Sequence, residues 1–149
     1  MRHNTAEIRV GRLLEVRPAA GYANTAAVDL LFDALEQQTR KVPSDVRLVA
    51  AVDWRFCPLM SPEAAQRVSQ RIAANNLRTE RSAALVDSDA PIAVLQFLRV
   101  IREANLPDRK LFFQQLELIQ YLTEPLTFAE LARLHSFLAE GTATAARLK

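Results

Sequence analysis

Short apolar runs alternate along this chain with segments in which apolar residues recur every three or four positions. The pattern is clearest between residues 81 and 140, where the apolar runs 82–86 and 110–113 are each followed by an amphipathic segment. Short apolar runs of this kind predict strands, and the wider spacing predicts helices with one buried face. Strands that alternate with helices are typical of an α/β domain.

The first 52 residues predict further strands. Apolar residues between 8 and 16 are evenly spaced except at Gly11-Arg12, which predicts strands at 6–10 and 13–17 joined by a two-residue turn. One longer strand with a bulge at that point is the alternative. A nearly continuous apolar run at 46–52, with several β-branched residues, predicts a strand in the interior of the sheet.

Five helices are predicted, and local signals mark where most of them begin. Asn24 is the predicted N-cap of the first helix, and Ser61-Pro62-Glu63 combines an N-cap, a first-turn proline and a first-turn acid at the start of the second. The polar turn 87–89 is expected to cap the third. Thr127 and Glu130 have the spacing of a capping box at the start of the last helix, which Gly141 is predicted to end.

The second predicted helix carries arginines on one side. Arg67, Arg71 and Arg78 fall along one stripe of this region, opposite the apolar positions. We expect this stripe to face solvent, with Glu63 placed to pair with Arg67 one turn later.

Length and composition predict a single domain, 1–149, in which residues 1–5 and 142–149 are flexible. The chain is long enough to bury a sizeable core, and half of its residues are hydrophobic. The one cysteine, Cys57, cannot form an internal disulfide, which favours a cytoplasmic location. No apolar window approaches the roughly 20 residues of a membrane-spanning helix, and the net charge is only +2. We therefore expect neither membrane insertion nor nucleic-acid binding.

Motifs for cofactor, metal or nucleophilic chemistry are missing from the sequence. Three glycines are too few for a dinucleotide-binding or phosphate-binding loop. His3, His135 and Cys57 lie far apart in the sequence, so we expect neither a metal nor a cofactor. Cys57 is predicted to be a small packing residue rather than a nucleophile, and His135 to be partly buried on the last helix.

The segment after the predicted interior strand is the best candidate for a functional site, because open α/β sheets bind ligands beyond the carboxyl ends of their strands. Aromatic, arginine and methionine side chains are also enriched at contact surfaces. The predicted interaction surface consists of Asp53, Trp54, Arg55, Phe56, Leu59, Met60 and Ser61. The alternative is that Trp54 covers the sheet, that Asp53 caps a turn or pairs with Arg55, and that all these residues are structural. Ser61 is a predicted N-cap that is also placed for phosphorylation.

Three segments resemble the bacterial STAS-like proteins, which are related to the antagonists of sporulation anti-sigma factors. The segments are RTERSAALV at 78–86, DRKLFF at 108–113 and ELIQYL at 117–122. In those proteins a strand that ends in phenylalanine precedes a helix whose apolar residues pack on the sheet, and Ile119 and Tyr121-Leu122 stand near those places. The resemblance implies a mixed β-sheet with helices packed mainly on one face. It also implies a regulatory role through contact with another protein or with a second copy of the chain.

The chain departs from that family at the site of the phosphorylatable serine. The antagonists carry an Asp-Ser-Ser-Gly-like segment there, whereas this chain reads DWRFCPLMSPE at 53–63, in which only Ser61 corresponds. We expect a non-enzymatic cytoplasmic interaction module. One alternative is a carrier of a small molecule or lipid, with a CRAL-TRIO-like apolar cavity of several hundred Å³. Another is an enzyme that uses Asp53, Arg55 and Cys57.

Overall fold

The strands form one mixed sheet whose spatial order follows the order of the chain. A computed structural model describes the backbone of residues 2–148 and the side chains of residues 2–143. Within that range the sheet has five strands in the order β1-β2-β3-β4-β5. The strands are β1 (Asn4–Ile8), β2 (Leu13–Pro18), β3 (Leu48–Asp53), β4 (Thr79–Leu85) and β5 (Arg109–Phe112). β1 is antiparallel to β2, and the other neighbours are parallel. The predicted α/β class with a mixed sheet is confirmed.

β1 and β2 form a hairpin, so the prediction of two strands holds and the single bulged strand does not. Their register pairs Ile8 with Leu14, and β1 begins two residues earlier than predicted. The turn needs Gly11, whose φ of 57° lies in the left-handed region that favours glycine. Residues 4 and 5, predicted to be flexible, belong to β1.

The helices cover both faces of the sheet. The helices on one face are α1 (Thr25–Thr39), α2 (Pro62–Ala73) and α3 (Pro91–Ala104), and those on the other are α4 (Gln115–Thr123) and α5 (Phe128–Leu148). Strands β2 to β5 are added in one direction, and right-handed crossovers in one direction all place their helices on the same face. The larger group of helices therefore shares one face, and α4 and α5 cover the other after the last strand.

Strand side chains alternate between two hydrophobic cores. Leu14 and Ala50 belong to the core beneath α1, α2 and α3, whereas Leu13 and Val49 belong to the core beneath α4 and α5. Because both faces of β3 are buried, its sequence is a nearly continuous apolar run, as predicted for an interior strand.

Two of the predicted N-caps are confirmed and one is wrong. The side-chain oxygen of Asn24 accepts a hydrogen bond from the Ala27 N–H at 2.9 Å, and the Ser61 hydroxyl accepts one from the Ala64 N–H at 3.2 Å. The polar turn 87–89 does not cap α3, whose N-cap is Ala90 without a side-chain hydrogen bond. The carboxylate of Asp87 accepts instead from the Asp89 N–H inside the turn.

The capping box at the start of α5 is confirmed, and it also connects α5 to the first hairpin. Glu130 accepts from the Thr127 N–H at 2.8 Å, and the Thr127 hydroxyl accepts from the Glu130 N–H at 3.2 Å. The second carboxylate oxygen of Glu130 accepts from the Arg12 N–H at 2.7 Å. A Cβ atom on Gly11 would overlap this carboxylate, so the glycine is needed for the close approach as well as for the turn.

The sequence predicted an outward-facing stripe of arginines in the α2 region, and this prediction is wrong. Arg67 donates to Asp29 of α1 at 2.8 Å rather than pairing with Glu63, and Arg71 also reaches Asp29 at 2.9 Å. Arg78 donates to the backbone carbonyl of Val46 in the connection between α1 and β3. These arginines join α2 and the turn after it to α1, because α1 presents its acidic residues on the side that faces α2.

Substitution of Val49 tests the interior position of β3. Val49 has no exposed surface, so Val49→Asp would bury an unpaired carboxylate between the sheet and α5. We expect loss of the cooperative unfolding transition in chemical denaturation. Leu77→Asp is the control, because Leu77 is 96% exposed and its replacement should leave the transition unchanged. A normal transition for Val49→Asp would contradict the assignment of β3.

Candidate functional site

A buried carboxylate lies at the carboxyl ends of β2 and β3, where the sequence predicted the site. Asp53, the last residue of β3, has no exposed surface. Its Oδ2 accepts from Arg17 Nε at 2.9 Å and from Arg55 Nη2 at 3.0 Å, and its Oδ1 accepts from Arg55 Nε at 2.9 Å. We call Arg17, Asp53 and Arg55 the buried ion cluster. The alternative interpretation from the sequence, in which Asp53 pairs with Arg55, is confirmed.

The buried ion cluster holds α5 against the sheet. Arg17 donates to the backbone carbonyl of Phe137, and its guanidinium carbon lies 4.1 Å from the centre of the Phe137 ring. Arg55 donates to the carbonyl of Leu138 at 3.1 Å and to the hydroxyl of Thr142 at 2.9 Å. Each arginine therefore bonds the Asp53 carboxylate on one side and the backbone of α5 on the other.

Gly141 does not end the last helix, contrary to the sequence prediction. α5 continues to Leu148 and so includes most of the tail that was predicted to be flexible. Met1 and Lys149, which were also predicted to be flexible, lie outside the described residues. A Cβ atom at Gly141 would overlap Asp53 and the guanidinium groups of both arginines. The glycine is therefore explained by the close approach of α5 to the buried ion cluster rather than by a helix end.

The protonation state of Asp53 follows from its surroundings. Burial disfavours the carboxylate, but the hydrogen bonds and positive charges of Arg55 and Arg17 outweigh burial and hold the pKa of Asp53 below its ordinary value. Asp53 is therefore ionised at neutral pH, and the hydrogen bonds from the two arginines occupy both of its oxygens. This arrangement suits a structural ion pair better than a group that exchanges protons with a substrate.

Three members of the predicted interaction surface are buried, contrary to the prediction that they are exposed. Asp53 is enclosed by Arg17 and Arg55, and Trp54 and Met60 lie in the core. Trp54 is buried and stacks on Phe97 of α3, with ring centres 4.5 Å apart. Met60 is also buried, and its backbone N–H and C=O both bond the side-chain amide of Gln96, at 2.9 and 2.8 Å. Exposure of these two side chains was the wrong expectation, because α3 lies over the loop and shields them from solvent.

The other four members of the predicted surface are at least partly accessible. Arg55 and Phe56 are half-buried, Ser61 is exposed, and Leu59 is 55% exposed. α3 adds two exposed apolar side chains that the sequence analysis missed, Ile92 at 68% and Leu95 at 67%. The amphipathic pattern of α3 could have identified them, because both lie outside its buried stripe.

These apolar side chains flank the contact between Met60 and Gln96. Leu59 precedes Met60 in the loop, Leu95 precedes Gln96 on α3, and Ile92 lies about one turn earlier. We call Leu59, Ile92 and Leu95 the apolar surface. Leu95 also lines a groove of about 550 Å³ between α2 and α3. The other residues that line the groove are Pro62, Ala65, Gln66, Gln96, Arg99, Val100 and Glu103.

The sequence candidates for nucleophilic and metal chemistry lie apart. Cys57 is buried, and burial raises the pKa of its thiol to about 12, so the thiolate is scarce at neutral pH. His135 is exposed on α5, contrary to the expectation of partial burial, and α5 lies on the opposite face of the sheet from the core that contains Cys57. Among the described residues, no three His, Cys, Asp or Glu side chains are grouped closely enough to hold a metal ion.

A small, partly open cavity lies between the sheet and helices α1, α2 and α3. Its volume is about 60 Å³, far below the several hundred Å³ that a lipid carrier would need. Most of its lining is apolar and includes Phe32 and Val68, but Ser82 and Arg109 also contribute to its wall.

Comparisons with known proteins identify no relative. No family model matches the chain, and neither the curated proteins nor the solved structures include a match. The STAS-like resemblance therefore stays a prediction. No helix in the described part of the chain has the length and apolar character needed to cross a membrane.

Replacement of Asp53 by asparagine should destabilise the protein in a pH-dependent way. Because the pKa of Asp53 is lower in the folded state, its contribution to stability is complete above the unfolded value of about 3.9 and is lost as the pH falls through the folded value. At pH 7 we expect Asp53→Asn to lower the free energy of unfolding by roughly 3 kcal/mol, the cost of breaking a buried pair. Chemical denaturation of both proteins between pH 7 and pH 2 should show the difference shrinking at the acidic end. A difference independent of pH would contradict the ion pair.

Gly141 should be more stabilising than alanine, the reverse of the usual order in a helix. Helix propensity alone predicts that Gly141→Ala raises the free energy of unfolding by about 1 kcal/mol. Overlap of the new methyl group with the buried ion cluster should turn this gain into a loss. The control is Ala139→Gly on an exposed position of α5, which should cost about 1 kcal/mol. A stabilised Gly141→Ala protein would show that α5 does not pack this closely.

Proposed function

We propose that this protein is a non-enzymatic interaction module of the cytoplasm, which binds another protein through the apolar surface of Leu59, Ile92 and Leu95. The observation that carries the proposal is the exposure of these large apolar side chains around one loop–helix contact. Exposed apolar groups that lie together are typical of protein contact sites, whereas isolated ones need no explanation.

The apolar surface has a rigid support, which favours binding. The backbone of Met60 is bonded at both its N–H and its C=O by Gln96, and the neighbouring Trp54 is stacked on Phe97. The loop is therefore held to α3 at two points, and Leu59 is displayed from an ordered segment. A surface that is already ordered loses less conformational entropy when a partner binds.

The groove beside the apolar surface indicates the chemistry of the partner. Leu95, Pro62 and Val100 supply apolar lining, whereas Arg99 and Glu103 supply charges of both signs at the wall. This combination fits an apolar side chain of a partner surrounded by polar groups, as in the core and rim of a typical interface. We therefore propose that a protein segment with an apolar anchor occupies the groove.

The position of the apolar surface also agrees with the STAS-like expectation. Leu59 and Ser61 belong to the loop before α2, which corresponds in the proposed resemblance to the region where the STAS-like antagonists meet their partners. Ser61 is exposed and its hydroxyl already caps α2, so phosphorylation at this residue stays a prediction.

Capture and binding measurements with matched variants test the proposal. The wild-type protein is used to capture partners from a lysate of the source organism, and each captured protein is then purified and titrated calorimetrically. We expect Leu95→Asp to weaken binding by at least about tenfold, because a charge would enter the apolar contact. Leu116→Asp is the matched control, since Leu116 is 70% exposed on α4, on the opposite face of the sheet.

The melting temperatures of both variants should equal that of the wild type, so that a loss of binding reflects the surface. Equal affinities of wild type and Leu95→Asp for every captured partner would remove the apolar surface from consideration. A partner lost equally in both variants would also contradict the proposal. If sedimentation shows that the wild type self-associates and that only Leu95→Asp prevents it, then the partner is a second copy of the chain.

A further inference from the structure

The floor of the small cavity is a row of residues that runs across four strands. Leu14, Ala50, Ser82 and Arg109 are successive partners on β2, β3, β4 and β5, and all four line the cavity. Partners in register point to the same face of a sheet. The small side chains of Ala50 and Ser82 stand in the middle of this row, between two large ones. The cavity exists because these central positions carry little volume beneath α1 and α2.

Arg109 ends the row with a charge that has no acidic partner among the described side chains. Its guanidinium donates to Asn76 Oδ1 at 3.1 Å, to the Ile72 carbonyl at 3.1 Å and to Thr79 Oγ1 at 3.3 Å. All three acceptors are neutral. Within residues 2–143 most other half-buried arginines, such as Arg17, Arg71 and Arg133, pair with at least one carboxylate.

The unpaired guanidinium is costly where it lies. Burial lowers the pKa of Arg109 to about 10, which still leaves the group charged at neutral pH. A partly buried charge is most stable when a full opposite charge and hydrogen bonds compensate for the loss of water. For the half-buried Arg109, the described residues supply hydrogen bonds and the C-terminal end of α2 but no carboxylate.

We infer that the cavity beside Arg109 is a binding site for a small aliphatic carboxylate. The carboxylate group would accept hydrogen bonds from the Arg109 guanidinium, and the Ser82 hydroxyl on the neighbouring strand would be a second donor. The aliphatic tail would lie on Ala50 against Phe32 and Val68. This inference does not depend on the interaction module proposed above.

The size of the cavity limits the ligand to a short chain. A volume of about 60 Å³ equals the share of roughly two water molecules in the liquid. A tail of about two carbon atoms fills this space without movement of the wall, which makes propionate a suitable probe. A long-chain fatty acid would need the core to open.

Arg109 also has a structural role, which the experiment must separate from binding. The carbonyl of Ile72 belongs to the last turn of α2, so the guanidinium interacts favourably with the C-terminal end of that helix. Loss of this contact would change stability whether or not a ligand binds. The experiment must therefore measure ligand binding itself rather than a change in stability.

Titration of the protein with propionate and with 1-propanol, followed by amide chemical shifts, tests the inference. The alcohol has the same carbon chain without the charge. We expect propionate to perturb the amides of Ser82, Ala50 and Arg109, and to bind at least about tenfold more tightly than 1-propanol. Arg109→Gln should remove this preference, whereas Lys110→Gln should retain it, because Lys110 lies on the opposite face of β5 beside Tyr121.

A second variant keeps the test independent of the role of Arg109 at α2. Ala50→Val adds volume in the middle of the row and leaves every hydrogen bond of Arg109 in place. It should weaken propionate binding by about tenfold or more. Equal binding of propionate to Ala50→Val and wild type would overturn the inference, as would shifts confined to surface amides or equal affinities for propionate and 1-propanol.

Discussion

The placement of α5 depends on one buried carboxylate between two guanidinium groups. Asp53 ends β3 in the interior, and a charge in that place is stable only because Arg17 and Arg55 surround it. The same two arginines bond the carbonyls of Phe137 and Leu138, so the sheet and α5 share one network. Removal of Asp53 leaves both guanidinium groups without a carboxylate, and removal of either arginine leaves the buried carboxylate with one cation instead of two. The contributions of the three residues are therefore coupled.

The buried ion cluster also determines which residues remain for contact with other molecules. Asp53 and Arg55 are engaged inside the molecule, and Trp54 and Met60 are covered by α3. Of the predicted surface, only Leu59 and Ser61 are thus fully exposed, and α3 supplies the remaining apolar side chains. A surface composed from two elements has a fixed shape when both are held by the same core.

Local features of the fold were predictable from the sequence, and long-range ones were not. The caps at Asn24 and Ser61 and the capping box of Thr127 and Glu130 involve residues three apart, so the chain itself contains both partners of each contact. The interior position of β3 was equally visible, because a strand buried on both faces is apolar throughout.

The wrong predictions concern residues whose environment is determined by a contact that is distant in sequence. A glycine such as Gly141 is typical of a helix end, but here it lies within α5. Its lack of a side chain allows α5 to approach Asp53 closely. Trp54 has the character of a contact residue, and the sequence alone does not show that it stacks on Phe97 in the core. The row of residues that forms the floor of the cavity could not be predicted for the same reason. Ala50, Ser82 and Arg109 become neighbours only through the strand register.

The bond between Glu130 and the first hairpin has a consequence for the order in which the protein folds. The Arg12 N–H and the Glu130 carboxylate are 118 residues apart in sequence. During synthesis the hairpin is made first, and the Arg12 N–H lacks its protein acceptor until α5 has been made. Contacts of such high sequence separation close late and slow folding, because the loop entropy is lost before the bond forms. Packing of α5 is therefore a late step of folding, and nascent chains that lack α5 expose the part of one sheet face that α4 does not cover.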